Sequence, residues 1–113
     1  MADQCLFCRI ARKEIPAQIV AENADAVAFR DINPQAPVHI LIIPRTHVAT
    51  VADVTDATMI GKLTSLAKDL AQREGIAASG YRLVMNTNAD AGQTVFHLHM
   101  HLHGGRKMAW PPG

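Results

Sequence analysis

The spacing of hydrophobic and polar positions predicts short strands in the first half of the chain. A short helix is expected at residues 6–12. Two strands follow at residues 18–22 and 26–31, and they flank the turn-forming triplet Asn23-Ala24-Asp25, which predicts a hairpin. Residues 33–37 contain two prolines and are expected to form a rigid loop. Residues 38–43 are almost continuously apolar and rich in β-branched side chains, which is typical of a central strand.

The second half is predicted to hold one long helix and two further strands. Over residues 56–74, apolar side chains recur at spacings of three and four and define one helix face, made of Ile60, Leu63, Leu66, Ala67, Leu70 and Ala71. Asp56 can cap the start of this helix, and Gly75 stands where a left-handed stop is needed. The two strands are expected at residues 81–87 and 95–102, around the turn-rich segment 88–92.

This order of elements lacks the regular alternation of strand and helix that parallel sheets show. It predicts an α+β fold with a mostly antiparallel, five-stranded sheet, one long helix and one short helix. The 113 residues are expected to form a single domain, residues 1–113, with a cysteine-containing N-terminal segment at 1–13 and a C-terminal tail at 104–113.

Charge and composition narrow the classes of function. Lys and Arg total 11 against 10 Asp and Glu, so a net charge of +1 disfavours nucleic acid or a membrane surface as a partner. Aromatic residues make up 4% of the chain, too few for a base-stacking platform, and no apolar run approaches the roughly 18–20 residues of a membrane span. The first five residues lack the features of a signal peptide, which predicts a cytoplasmic protein.

Histidine is concentrated in one short stretch. Of the six histidines, His97, His99, His101 and His103 fall within seven residues, and in a strand they would share one face. A solvated polar face would carry mixed polar side chains, which leaves a metal site and catalysis as the two open interpretations. A row of imidazoles beside a glycine-containing loop favours an anionic, phosphate-bearing substrate.

The run His97-Leu98-His99-Met100-His101-Leu102-His103 resembles the histidine triad motif, and the resemblance extends over nearly the whole chain. Residues 28–39 and 85–88 resemble the nucleoside-contacting segments of the histidine triad (HIT) nucleotide-binding proteins. Residues 91–95 resemble their phosphate loop, and residues 104–106 and 110–113 their C-terminal signature. The branch that matches best acts as purine nucleoside phosphoramidases. His103 departs from the motif, which has an apolar residue there, and it is assigned no role.

The resemblance implies hydrolysis of adenosine 5′-phosphoramidate or related AMP-amine conjugates. His99 would attack the α-phosphorus and form a nucleotidyl-histidine, which water then hydrolyses to release AMP. His101 would hydrogen-bond a phosphate oxygen as charge develops, and His39 completes the implied catalytic set. The alternatives are a dinucleoside polyphosphate hydrolase, which the C-terminal Trp-Pro-Pro-Gly argues against, and a mainly non-catalytic nucleotide-binding or scaffolding module.

The same resemblance implies a nucleotide site that includes His99 and His101. Asp31 would accept hydrogen bonds from the ribose hydroxyls, and Ile32 would contact the nucleoside. The phosphate end would be met by Asn86 and by the loop residues Gly92, Gln93 and Thr94. Simpler interpretations exist for two of these residues, because Asp31 can cap a turn and Asn86 can pair with backbone at a strand end.

Cys5 and Cys8 alone are a weak metal signal, because two ligands do not fill a tetrahedral site. In relatives with this cysteine pair, a structural Zn²⁺ is held by both cysteines, a histidine at the position of His47 and the first triad histidine, His97. In relatives without the cysteines, the first triad histidine instead joins a hydrogen-bond relay with the equivalent of His39. No organic cofactor is expected.

The resemblance also implies a homodimer as the working form. In the family, two protomers join their sheets and pack their long helices, and each C-terminal tail lies near the other protomer's active site. Trp110 would therefore reach across to the partner, while the substrate would be a purine nucleoside monophosphate or an AMP-amine conjugate.

Overall fold

The computed structural model of the protein describes residues 4–113, so the first three residues of the predicted N-terminal segment and of the signal-peptide prediction lie outside the described part. The α+β fold is confirmed. Within residues 4–113 the elements, in chain order, are α1 (Leu6–Ala11), β1 (Ile19–Glu22), β2 (Ala26–Arg30), β3 (Val38–Pro44), α2 (Thr58–Arg73), β4 (Tyr81–Val84) and β5 (Met100–Gly104). Neither helix is long and apolar enough to cross a bilayer.

The five strands form one antiparallel sheet in the order β1-β2-β3-β5-β4. The apolar strand β3 lies at its centre, as its sequence predicts, and pairs with β2 on one side and β5 on the other. In the β3–β5 ladder, His39 lies opposite His103 and Leu41 lies opposite His101. This register places the end of the histidine run beside the histidine of the central strand.

Both faces of the sheet are covered. The helix α2 packs its apolar stripe on one face, against side chains that include Ile40, Ile42 and Leu102. The short helix α1 covers the other face, where Phe7 and Ile10 pack with a second set of strand side chains, Val27, Phe29, Leu41 and Ile43. Successive residues of β3 therefore alternate between two cores, which explains its unbroken apolar sequence.

The ends of α2 follow from local chemistry. Asp56 Oδ1 accepts hydrogen bonds from the backbone N–H of Thr58 at 3.0 Å and from its hydroxyl at 2.7 Å, so Asp56 caps the first turn. Gly75 adopts a left-handed φ of 75° after the last turn, which confirms the predicted stop. A half-buried ion pair of 2.8 Å between Arg30 and Glu74 connects this end of α2 to the end of β2.

The two C-terminal strands are shorter than predicted. Strand β4 ends at Val84, which pairs with His101, and β5 begins only at Met100 rather than near residue 95. The chain before Met100 runs outside the sheet ladder, and the N–H of Leu98 bonds to the carbonyl of Val48 at 2.6 Å. Phe96, expected on the apolar face of a longer strand, is 49% exposed as a result.

Candidate active site

His99 is a buried imidazole whose protonation is fixed by the backbone. Its Nδ1 lies 2.8 Å from the carbonyl oxygen of His97, which can only accept, so Nδ1 carries the proton. In the neutral ring the Nε2 lone pair is then free for nucleophilic attack. Phe7 packs edge-on against this ring, with centroids 5.1 Å apart, and holds its orientation. The tautomer that the predicted nucleophile needs is therefore built into the fold.

His101 is oriented by His39. The N–H of Gln35 donates to His39 Nδ1 at 3.0 Å, so the proton of the neutral His39 ring lies on Nε2. His39 Nε2 lies 2.9 Å from His101 Nδ1 and donates to it, which leaves the proton of His101 on its own Nε2. The ring centroids of His99 and His101 are 5.0 Å apart. His101 thus presents an N–H donor beside the free nitrogen of His99.

Burial keeps His39 and His101 neutral at neutral pH. It lowers the pKa of His101 to about 4, helped by the neighbouring rings of His99, His39 and His103. The pKa of His39 is also lowered by burial, against the opposing effect of the Asp31 carboxylate. A neutral ring with one donor and one acceptor is what the hydrogen bonds described above require.

His103 belongs to the same cluster, although the sequence assigns it no role. Its Nε2 lies 3.0 Å from His39 Nε2, and the two ring centroids are 4.1 Å apart. Burial lowers the pKa of His103 to about 4, with further lowering by His39 and Arg106. The sequence places His39 in the predicted central strand and His103 just after a later predicted strand, but it indicates neither the pairing of these strands nor their register.

An apolar cavity of about 190 Å³ opens beside the histidines. Phe7, Phe29 and Leu41 line its interior, and Asp31 and Ile32 lie at its rim. Ile32 is 99% exposed, which is unusual for a large apolar side chain and is consistent with a contact surface that a ligand would cover. The cavity has the apolar character of a nucleoside pocket. Phe29 belongs to the segment 28–39 that resembles a nucleoside-contacting segment, whereas Phe7 and Leu41 were not predicted from the sequence.

The two carboxylate oxygens of Asp31 have different surroundings. Its Oδ1 accepts the N–H of Asn33 at 2.8 Å, which is the turn-capping role. Its Oδ2 remains near the site, 3.4 Å from His39 Nε2. One oxygen of this half-buried carboxylate therefore shapes the turn, and the other faces the histidine cluster.

The loop at residues 88–95 is stabilised by hydrogen bonds of the Gln93 side chain. Gly92 has a left-handed φ of 83°, the conformation for which glycine is best suited. The Gln93 side chain accepts the N–H of Asn88 at 2.9 Å and donates to the carbonyls of Ala49 and Val95, at 2.9 and 3.1 Å. These bonds give Gln93 a role in the structure of the loop, and its contact with a nucleotide stays a prediction. Thr94 is exposed on the loop surface.

Asn86, the remaining residue of the predicted nucleotide site, is half-buried in the segment that follows β4. Trp110 is 83% exposed in the C-terminal tail, and the carbonyl of the adjacent Ala109 accepts a hydrogen bond of 3.0 Å from Arg82. The tail is thus connected to β4 while its indole ring stays uncovered.

Four potential metal ligands converge at the N-terminal end of α1. His97 Nε2 donates to the carbonyl of Pro44 at 2.8 Å, so the lone pair of its Nδ1 faces Cys5 Sγ and Cys8 Sγ, each 3.4 Å away. His47 Nδ1 lies 3.2 Å from the same nitrogen and 3.3 Å from Cys8 Sγ. Burial lowers the pKa of His97, which favours the neutral form that a metal needs. The structure brings all four predicted ligands together.

The two interpretations of the first triad histidine can now be compared. Both ring nitrogens of His97 have partners: Nδ1 faces the two cysteines and His47, and Nε2 donates to the carbonyl of Pro44. His39 instead pairs with His101 and His103. The geometry therefore fits the predicted four-ligand cluster of Cys5, Cys8, His47 and His97, and not a relay between His97 and His39.

Known proteins resemble this chain over almost its full length. The HIT domain family model matches residues 12–108. The purine nucleoside phosphoramidase of Escherichia coli is 50% identical over 110 residues, covering 96% of this chain and 92% of the relative.

Solved structures agree with this match. A HIT family hydrolase from Legionella pneumophila is 54% identical with a TM-score of 0.95, covering 97% of this chain and 100% of the other. A histidine triad protein from Clostridium difficile is 37% identical with a TM-score of 0.89, covering 93% of each chain. The chain is therefore a member of the HIT domain family and has the fold of its nucleotide hydrolases.

Proposed function

We propose that the protein hydrolyses adenosine 5′-phosphoramidate or related AMP-amine conjugates and releases AMP. The observation that carries this proposal is the fixed tautomer of His99, whose ring lies 5.0 Å from that of His101, centroid to centroid, and packs against Phe7 of the apolar cavity. The relative from Escherichia coli, named a purine nucleoside phosphoramidase, supports the same choice of substrate class.

In the proposed reaction, His99 Nε2 attacks the α-phosphorus and forms a phosphorus–nitrogen bond. The bond from phosphorus to the substrate's amine breaks, and the amine takes up a proton as it leaves. Water then attacks the nucleotidyl-histidine, releases AMP and a proton, and restores neutral His99. The His101 Nε2–H donates to a non-bridging phosphate oxygen and stabilises the charge that develops on it.

The experiment that tests the nucleophile is the His99→Ala variant. We expect its turnover of adenosine 5′-phosphoramidate to fall by at least about 10³-fold, while AMP binding, measured by calorimetry, is retained. Stopping the wild-type reaction in acid-free denaturant and digesting it should yield the peptide containing His99 with the added mass of an AMP group. Unchanged turnover in His99→Ala would refute this assignment.

The nucleoside contact is tested at the exposed rim of the cavity. Ile32→Ala removes apolar surface that only a bound nucleoside would cover, so we expect about 1 kcal/mol weaker binding, or roughly a fivefold higher Kd for AMP. Because the side chain is 99% exposed, the free energy of unfolding should not change. An unaltered Kd would exclude Ile32 from the nucleotide site.

We also propose that Cys5, Cys8, His47 and His97 hold a structural Zn²⁺. The two sulfur and two nitrogen atoms are a donor set that zinc prefers and all lie within 4.8 Å of one another. The separations of His97 Nδ1 from the other three and of Cys8 Sγ from His47 Nδ1 are 3.2–3.4 Å, close to the edges of about 3.3–3.8 Å of a tetrahedral site. When bound, zinc would supply a closed, non-catalytic cross-link between α1 and the chain that leads into β5.

Metal analysis of the purified protein tests this site. We expect about one zinc per chain in the wild type and loss of that zinc in Cys8→Ser. His103→Gln, a histidine substitution outside the four-ligand cluster, should retain the metal and serves as the control. A metal-free wild-type protein, prepared without chelators, would contradict the proposal.

Finally, we propose a homodimer in which Trp110 lies near the partner's active site. An indole that is 83% exposed is costly to leave in water, and the edge strand β4 exposes Tyr81 and Leu83 in addition. Light scattering should give a mass of about twice the 12.3 kDa of one chain. A monomeric mass at micromolar concentration would refute this assembly.

A further inference from the structure

His39 offers one proton to several acceptors. Its Nδ1 is occupied by the N–H of Gln35, so its only N–H is at Nε2. That N–H faces His101 Nδ1 at 2.9 Å and His103 Nε2 at 3.0 Å, and Asp31 Oδ2 lies 3.4 Å away. Because a donor on His103 Nε2 would oppose the donor on His39, His103 must present its lone pair. Two imidazoles therefore compete for one hydrogen bond at nearly equal distance.

A metal ion is a poorer explanation of the same three rings. Their nitrogens lie within 4.8 Å of one another, which is a suitable spacing for ligands. However, a metal would require the lone pair of His39 Nε2, and the proton would then have to move to Nδ1. That proton would point at the N–H of Gln35 and break an existing hydrogen bond. The hydrogen bonds therefore favour a cluster that shares a proton.

We propose that His103 is a positioning residue that competes with His101 for the proton of His39 and thereby loosens the orientation of His101. The inference rests on the proposed function, in which His101 donates its Nε2–H to the phosphate. When His39 donates to His103, the Nδ1 of His101 loses its hydrogen bond to His39, and the His101 ring can rotate so that its Nε2–H no longer points at the phosphate. Only the population in which His39 donates to His101 has the required N–H in place.

The size of the effect follows from the two distances. Acceptors at 2.9 and 3.0 Å compete closely for the proton, so roughly half of the molecules have the hydrogen bond that holds His101 in the productive orientation. Removing the competing acceptor would raise that fraction towards one. The expected gain in kcat is therefore at most about twofold, with little change in KM, since His103 contacts His39 rather than the cavity.

Two matched variants test the proposal. His103→Leu removes the acceptor and installs an apolar residue, the type that the histidine triad motif has at this position. His103→Gln keeps an acceptor, because its Oε1 can occupy the place of the imidazole Nε2 and receive the proton of His39. Thermal unfolding of both variants verifies that they are folded before either is compared with the wild type.

The direct readout is the hydrogen bond that Nδ1 of His101 accepts, measured from side-chain ¹⁵N chemical shifts at pH 7. In His103→Leu, Nδ1 of His101 should shift to the value of a fully hydrogen-bonded acceptor, whereas the wild type and His103→Gln should give a value averaged between bonded and unbonded molecules. Turnover of adenosine 5′-phosphoramidate should rise by up to about twofold in His103→Leu and stay at the wild-type rate in His103→Gln.

The outcomes separate this proposal from the proposed function. An identical ¹⁵N pattern for His101 in the wild type and His103→Leu would overturn the sharing of the proton, whatever the turnover. Binding of a second Zn²⁺ per chain that disappears in His103→Leu would also overturn it, in favour of a metal site. If the wild type fails to turn over the substrate, the proposed function fails, while the ¹⁵N shifts still decide the role of His103.

Discussion

At the scale of single residues, the position of one proton on each imidazole decides what that ring can do. The carbonyl of Pro44 fixes the proton of His97, the carbonyl of His97 fixes that of His99, and the N–H of Gln35 fixes that of His39. Each of these three partners is a backbone group, so changing the side chain of the partner residue does not remove the hydrogen bond. In the proposed function, chemically equivalent histidines thereby take the separate roles of metal ligand, nucleophile and donor.

Gly104, the last residue of β5, shows how tightly a single position can be constrained. A Cβ at this position would collide with the side chain of Ile76, which is itself 4% exposed and cannot move into solvent. We expect Gly104→Ala to lower the free energy of unfolding by about 1–3 kcal/mol, measured by urea denaturation. A variant as stable as the wild type would show that the Ile76 side chain can move away from the added Cβ at little cost in free energy.

At the scale of elements, the histidine row shows what periodicity predicts and what it misses. Alternation correctly placed the histidines on one side and Leu98 and Met100 on the other, because extended chain alternates whether or not it is paired. The strand itself begins later, since the bond of Leu98 to Val48 and the bond of His97 to Pro44 hold the preceding chain outside the ladder. Such long-range partners leave no local pattern in the sequence.

The helix α2 contains a glycine, Gly61, where an added Cβ has the opposite surroundings to those at Gly104. Gly61 lies in its interior, exposed, and a Cβ there would meet nothing within 4 Å. Because alanine has a higher helix propensity, we expect Gly61→Ala to raise the free energy of unfolding by about 0.5–1 kcal/mol in the same urea experiment. A loss of stability would indicate that this face of α2 is covered in the assembled protein.

At the scale of the whole molecule, the fold was more predictable than the site. Both helices, the hairpin and the central strand follow from local spacing and from turn and cap residues. The site depends on contacts between distant parts of the chain: Phe7 against His99, and His39 against His101 and His103. These need the sheet order and register, which a residue pattern does not contain. Only the resemblance to known motifs indicated which histidines would meet.

The stability of the whole molecule should depend on pH. Burial lowers the pKa of His101 and of His103 to about 4, whereas both would titrate near 6.5 in the unfolded chain. Between these pH values the unfolded state binds more protons, so the free energy of unfolding falls as pH falls from about 6.5 to about 4.

The groups that face His103 are His39, Arg106 and Arg82, which lower its pKa, and Asp31, which raises it. Urea midpoints measured from pH 7 to pH 4 should therefore decline less steeply for His103→Leu than for the wild type. Equal slopes would mean that His103 is protonated as readily in the folded protein as in the unfolded chain.

The helix α1 has only six residues, and a helix that short does not persist alone in water. Its stability depends on the packing of Phe7 against His97 and His99 and on the contact of Cys5 with His97. The amide hydrogens of Arg9 and Arg12, bonded to the carbonyls of Cys5 and Cys8, should therefore exchange with deuterium at a rate set by the integrity of the site. Their protection would report, without substrate or turnover, whether the nucleophile is still held in place.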